Sequence, residues 1–63
     1  MPLIGVFRSS DRAWRIEITT ERNGETVYLA IRRSMPMGRY RTVADLAALL
    51  AEHGLTMADL IED

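Results

Sequence analysis

Two runs of alternating residues flank a single Asn-Gly pair, and no other feature restricts the possible folds as strongly. Before the pair, Trp14, Ile16 and Ile18 alternate with Arg15, Glu17 and Thr19; after it, Val27, Leu29 and Ile31 alternate with Tyr28, Ala30 and Arg32. A period of two in β-branched and aromatic residues puts one set of side chains on one face of a strand. Asn23-Gly24 tolerates the positive φ that a type I′ turn needs at both central positions, so the segment reads as a tight antiparallel hairpin. Its buried face would carry Trp14, Ile16, Ile18, Val27, Leu29 and Ile31. The open face would carry Arg15, Glu17, Thr19, Thr26, Tyr28, Ala30 and Arg32.

The flanking sequence extends this unit. Leu3-Ile4-Gly5-Val6-Phe7-Arg8 is a short apolar run that stops at the turn-like Ser9-Ser10-Asp11-Arg12, which adds a strand. Strands are thus expected over about 3–8, 13–20 and 26–33. Met35-Pro36-Met37-Gly38 interrupts the alternation, and residues 34–41 read as a loop. Thr42 with Asp45 resembles a capping box, and Val43, Leu46, Ala47 and Leu50 then recur at helical spacing. His53 and Gly54 suit the end of a helix over about 43–53. Thr56-Met57-Ala58-Asp59-Leu60 echoes the start of that helix and predicts a second, short helix over about 57–62. The fold class is α+β, a three-stranded antiparallel sheet (β-β-β-α) packed on one amphipathic helix, in a single domain over 1–63.

A chain of 63 residues is near the lower limit for independent folding. It contains no cysteine and one histidine, so disulfides and thiolate metal sites are excluded and self-association is the open route to added stability. Met1-Pro2-Leu3-Ile4-Gly5 lacks the basic and apolar regions of a leader peptide, and no apolar run approaches the ~20 residues of a membrane span. A soluble, cytoplasmic protein without membrane contact is expected.

The net charge of −1 conceals a division along the chain. Residues 1–41 hold all eight basic residues, every one an arginine, against Asp11, Glu17, Glu21 and Glu25, a balance of +4. Residues 42–63 hold Asp45, Glu52, Asp59, Glu62 and Asp63 and no base, a balance of −5. Such asymmetry points either to an anionic partner for the first part or to attraction between the two parts.

Catalysis finds little support, because His53 has no thiol to activate and sits where a helix cap belongs. Glu17, Glu21 and Glu25 fall at strand or turn positions, no phosphate-loop or metal motif occurs, and no cofactor is implied. The densest basic stretch, Arg32 to Arg41, interleaves arginines with Tyr40, a composition that can neutralise phosphates while a ring stacks on a base. Leu46 to Ile61 has the outline of a helix-turn-helix. Its second helix would carry Asp59, Glu62 and Asp63, which phosphates repel, so that reading is rejected for DNA.

The order of these pieces resembles the AP2-type DNA-binding domain and the related arm-binding domain of tyrosine recombinases. The resemblance rests on Gly5-Val6-Phe7-Arg8, Trp14-Arg15-Ile16-Glu17-Ile18, Val27-Tyr28-Leu29 and the alanine-rich Thr42 to Leu49, and covers roughly residues 4–53. It implies a sheet face entering a DNA groove, with Arg8, Arg15 and Arg32 toward the DNA and Arg12 and Arg22 near phosphates. The present chain has fewer basic residues on its first two strands than that family, and a longer connection before the helix. The expected function is a non-enzymatic binding domain that takes duplex DNA through Arg8, Arg12, Arg15, Tyr28, Arg32, Arg39, Tyr40 and Arg41. The alternative is a protein-interaction module, either a homodimer or a domain for another protein, using sheet edges and Met35, Met37, Tyr40, Leu55 and Met57.

Overall fold

The computed structural model describes residues 3–62; Met1, Pro2 and Asp63, used above in reading the first residues and the charge, lie outside them. One sheet of five strands dominates, in the order β4-β3-β2-β1-β5, with every neighbouring pair antiparallel. The strands are β1 (Leu3–Ser9), β2 (Trp14–Thr20), β3 (Thr26–Arg32), β4 (Met35–Tyr40) and β5 (Leu60–Glu62). One helix, α1 (Val43–Glu52), packs on one face, and a 3-10 turn at Met57–Asp59 leads into β5.

Three strands were expected, and two more are present. The segment read as a loop is β4, whose Pro36 and Gly38 looked like breakers. At the edge of a sheet, however, a proline can sit without costing a ladder bond, and a register shift between Ala30 and Ile31 absorbs the irregularity. The segment read as a second helix is a single 3-10 turn followed by β5, because Phe7, Arg8 and Ser9 offer it an open strand edge. Asp59 caps that turn by accepting from the Thr56 N–H at 2.8 Å.

The turn at Asn23-Gly24 differs by one residue from the expected form, and the difference inverts a strand. The N–H of Gly24 donates to Glu21 at 3.0 Å, and that of Glu21 to Glu25 at 2.8 Å, closing a three-residue loop of Arg22, Asn23 and Gly24. Only Gly24 has a positive φ there, at 83°, the arrangement of a type I turn with a bulge. Thr20 therefore pairs with Thr26, Ile18 with Tyr28, and Ile16 with Ala30. Shifting a register by one residue moves every side chain to the other face. Tyr28, Ala30 and Arg32 consequently share the helix face with Trp14, Ile16 and Ile18, while Val27, Leu29 and Ile31 share the open face with Arg15, Glu17 and Thr19.

The core consists of Trp14, Ile16, Ala30, Leu46 and Leu50, with Phe7, Tyr28, Met37, Tyr40 and Leu60 among the partly buried residues around it. Fully burying a side chain such as Ile16, Leu46 or Leu50 contributes about 1.5–3 kcal/mol. Val43, expected on the buried stripe, is exposed; Leu49 packs on the core while Leu46 and Leu50 form its helical side. Thr42 caps α1 by accepting from the Asp45 N–H at 3.2 Å. At the other end, Gly54 (φ 76°) donates to Ala51 and Leu55 donates to Leu50, a Schellman closure.

Candidate functional site: an arginine-lined hollow beside the open sheet face

The connections between strands set the site. Between β1 and β2 the chain turns at Arg12, whose N–H donates to Ser9 at 2.9 Å and whose φ is 62°. Asp11 holds the turn in shape: its Oδ1 accepts from Ser9 Oγ at 2.5 Å and from the Ala13 N–H at 3.0 Å. Ser9, buried, in turn accepts from the Trp14 N–H at 3.0 Å. The hydrogen bond from Ser9, then that from Ala13, holds the Asp11 carboxyl below its ordinary value of 3.8.

Between β3 and β4 the connection has only two residues, Arg33 and Ser34, since Arg32 pairs directly with Met35. Both have positive φ, 49° and 69°, as a type I′ turn demands. This is the tight turn expected at Asn23-Gly24, built here from residues that tolerate it far less well. The N–H of Arg33 donates to Ala13 at 2.8 Å and ties the two connections side by side.

A hollow of about 210 Å³ opens where they meet, lined by Arg8, Arg12, Arg15 and Arg33 together with Ala13, Trp14, Ile31 and Ser34. Four arginines thus line one hollow, and no Asp or Glu is among its described lining residues. A second hollow of about 280 Å³ shares Arg8 and Arg12 and adds Ser9, Ser10, Ile61 and Glu62. All three non-glycine residues with positive φ among those described, Arg12, Arg33 and Ser34, line the first hollow. Strain of this kind collects where a structure holds groups in place for a ligand.

The fold separates the other expected residues. Arg8, Arg12 and Arg15 are brought together, and Arg33, absent from the expected set, joins them. Arg15 Nε lies 2.8 Å from Glu17 Oε2 on the neighbouring open-face position. Arg32, expected on the open face, lies on the helix face with its guanidinium 5.7 Å from the centre of the Trp14 ring. The His53 ring is 5.0 Å from the same Trp14 ring, tilted by 56°. Tyr40, expected to stack on a base, and Tyr28, expected on the open face among the nucleic-acid-binding residues, pair across β3 and β4 and pack against the core. Each displacement follows from the one-residue change in the first hairpin and from the unforeseen β4.

Arg39 lies on the open face and Arg41 follows β4 directly, and each is held by a carboxylate. Arg39 bonds Glu21 at 2.8 Å, and Arg41 pairs with Glu25. In the register, Arg39 stands opposite Leu29 and Glu21 opposite Glu25, so the first pair spans β3 at Val27. Val27 is only 2% exposed although no helix covers this face, which the bridging side chains explain. Arg22 sits in the exposed β2–β3 loop, at the opposite end of the strands from Arg12. No Asp, Glu and His cluster suited to a metal occurs among the described residues. Among the described residues no helix is long and apolar enough to cross a membrane.

Comparison with known proteins finds no matching family model, no matching curated protein and no matching solved structure.

Proposed function

We propose that this is a non-enzymatic binding domain that holds the phosphates of a nucleic acid at the arginine-lined end of its sheet. The observation that carries this reading is the convergence of Arg8, Arg12, Arg15 and Arg33, from β1, β2 and two separate turns, on one hollow. Arginine presents a planar fork of donors that matches phosphate oxygens in pairs. A cluster of this kind binds anions despite a net charge of −1, because the field at short range is set by the nearest groups. Docking resembles the sheet-face mode of the AP2-type and arm-binding domains only in using β1 and β2. The phosphate-binding groups here include two turns, and no tyrosine stacks.

A duplex-DNA titration followed by amide chemical shifts tests the reading. Shifts are expected at Arg8, Arg12, Ala13, Arg15, Arg33 and Ser34, and they should fade as salt is raised. The logarithm of the binding constant should fall by about 0.9 per phosphate contact for each decade of salt. No shifts at low salt would sink the proposal.

A second reading, self-association through sheet edges, is favoured by the exposed apolar residues there. Met35 on β4 is 66% exposed, and Leu3 and Ile4 on β1 are 52% and 59% exposed. Unpaired edges of this kind invite pairing with another chain. Sedimentation across a concentration series reads this directly, and Met35→Lys should abolish any dimer that β4 forms. Met37 packs on the core and is unsuited to that test.

A further inference from the structure

We infer that the open face of the sheet is a contact between two copies of this chain, stacked face to face about a twofold axis; this goes beyond the nucleic-acid reading and does not rest on it. The pattern along β3 is the first ground. Its open side carries Val27, Leu29 and Ile31 and its helix side Tyr28, Ala30 and Arg32, so the side away from α1 is the more apolar one. Val27 is shielded by the bridging ion pairs, but Leu29 and Ile31 stay partly exposed, as does Val6 on the same face of β1. Ile61, opposite Arg8 on that face, is 60% exposed. An antiparallel sheet covered on one side ordinarily turns polar residues to the other, and apolar residues gathered there mark a contact surface.

Self-complementarity is the second ground, and it selects a second copy as the occupant. Val6, Glu17 and Leu29 stand side by side in one row across β1, β2 and β3, and Arg8, Arg15 and Ile31 in the next row of the same face. Sheets that stack in alignment lie about 10 Å apart, with strand directions within about 30°. A twofold axis that crosses the strands between these two rows exchanges them. Arg15 of each copy then faces Glu17 of the other, Ile31 faces Leu29, and the stem of Arg8 lies on Val6. Arg15 Nε already lies 2.8 Å from Glu17 Oε2 within one copy. Stacking joins two such pairs into a ring of four alternating charges, which stays neutral as water leaves. An axis along β2 would set Arg15 against Arg15 and Glu17 against Glu17, and repulsion rejects it.

Area is the third ground. Strands of seven residues, about 4.8 Å apart, give a face of about 20 Å by 20 Å, so two copies together bury roughly 800–1,200 Å², toward the lower end of specific interfaces. A dimer that dissociates in the micromolar range follows. Nucleic acid is a poor occupant of these rows, because Glu17 repels phosphates and Val6 and Leu29 offer them no donor.

The experiment is sedimentation across a concentration series, with charge variants measured alone and mixed. The native chain should form dimers at the upper end of the series and dissociate on dilution; a monomer throughout, to the millimolar range, would overturn the inference. Arg15→Glu and Glu17→Arg, each alone, should raise the dissociation constant about tenfold or more, because a substitution beside a twofold axis counts twice. An equimolar mixture of the two should recover dimers made of unlike copies, which also shows that neither variant has unfolded. Single variants that dimerise as the native chain does would overturn the inference, and so would a mixture that stays monomeric. Leu29→Thr keeps a strand-forming residue and should weaken the dimer as well; native affinity in that variant would count against the stacked rows. Met35→Lys should leave the dimer unchanged, and its loss there would assign the contact to the β4 edge instead. No nucleic acid enters these measurements, so this inference and the nucleic-acid reading can each fail alone.

Discussion

At Arg12 and Arg33 the backbone adopts a conformation that a glycine would accept more readily than an arginine. A non-glycine residue in the left-handed region carries a cost of about 1–2 kcal/mol, part of which glycine returns as entropy of the unfolded chain. Arg12→Gly is therefore expected to raise stability, by up to about 1 kcal/mol in urea unfolding, while weakening the binding of nucleic acid. A variant that lost both would show that the Arg12 side chain supports the turn itself. Asp11 offers a second test at this scale. Its carboxyl is held below 3.8 in the folded chain by the Ser9 and Ala13 hydrogen bonds, so the stability it contributes is present above that value. This contribution should be lost as pH falls through the lowered folded value, and Asp11→Asn should flatten that part of an acid-unfolding profile. An unchanged profile in the variant would show that other carboxylates govern acid unfolding.

Among the elements, β4 and its tie to the core are the least expected, and Gly38 is the residue that shapes it. A side chain begun at Gly38 would place its Cβ 2.7 Å from Tyr40 Oη and 3.0 Å from Tyr40 Cζ, because the tyrosine ring lies over the bare backbone. Gly38→Ala is expected to destabilise by about 1–3 kcal/mol, and much less in a Tyr40→Ala background, as a double-mutant cycle in urea would measure. Additive costs would mean that the ring is not the obstacle.

Much at this scale was legible in the sequence. Alternation gave β2 and β3, and Thr42 and Gly54 marked the ends of α1. What alternation could not reveal was which face of β3 is buried. Val27, Leu29 and Ile31 look like the core set, yet Tyr28 and Ala30 pack there, because loop length rather than hydrophobicity sets the pairing. The candidate site was half legible. Arg8, Arg12 and Arg15 stood out, but Arg33 joins them only through a two-residue turn that its sequence does not favour. Pro36 and Gly38 argue for a loop unless the strand is already known to lie at an edge.

On the scale of the whole molecule, α1 covers one face of the sheet while ion pairs and long side chains shield part of the other. The sequence division between basic and acidic residues is only partly a division in space: Glu17, Glu21 and Glu25 neutralise arginines on their own sheet face, and Glu62 returns to the arginine end through β5. β5 also covers the β1 edge at Phe7, Arg8 and Ser9. A chain lacking residues 60–63 should lose about 1–3 kcal/mol, chiefly the burial of Leu60, and self-associate more strongly through the uncovered edge. Thermal unfolding and sedimentation read the two effects. An unaltered melting temperature would mean that β5 contributes no stability.

The same pairing has a consequence for the order in which the protein comes into being. A ribosome makes β1 before β5, so the β1 edge at Phe7, Arg8 and Ser9 lacks this neighbour until residues 60–62 have emerged. The sheet therefore cannot be completed before those residues are made, and the second hollow, walled by Ile61 and Glu62, does not exist in a shorter nascent chain. A growing copy of this protein lacks that hollow until residue 62 has been added.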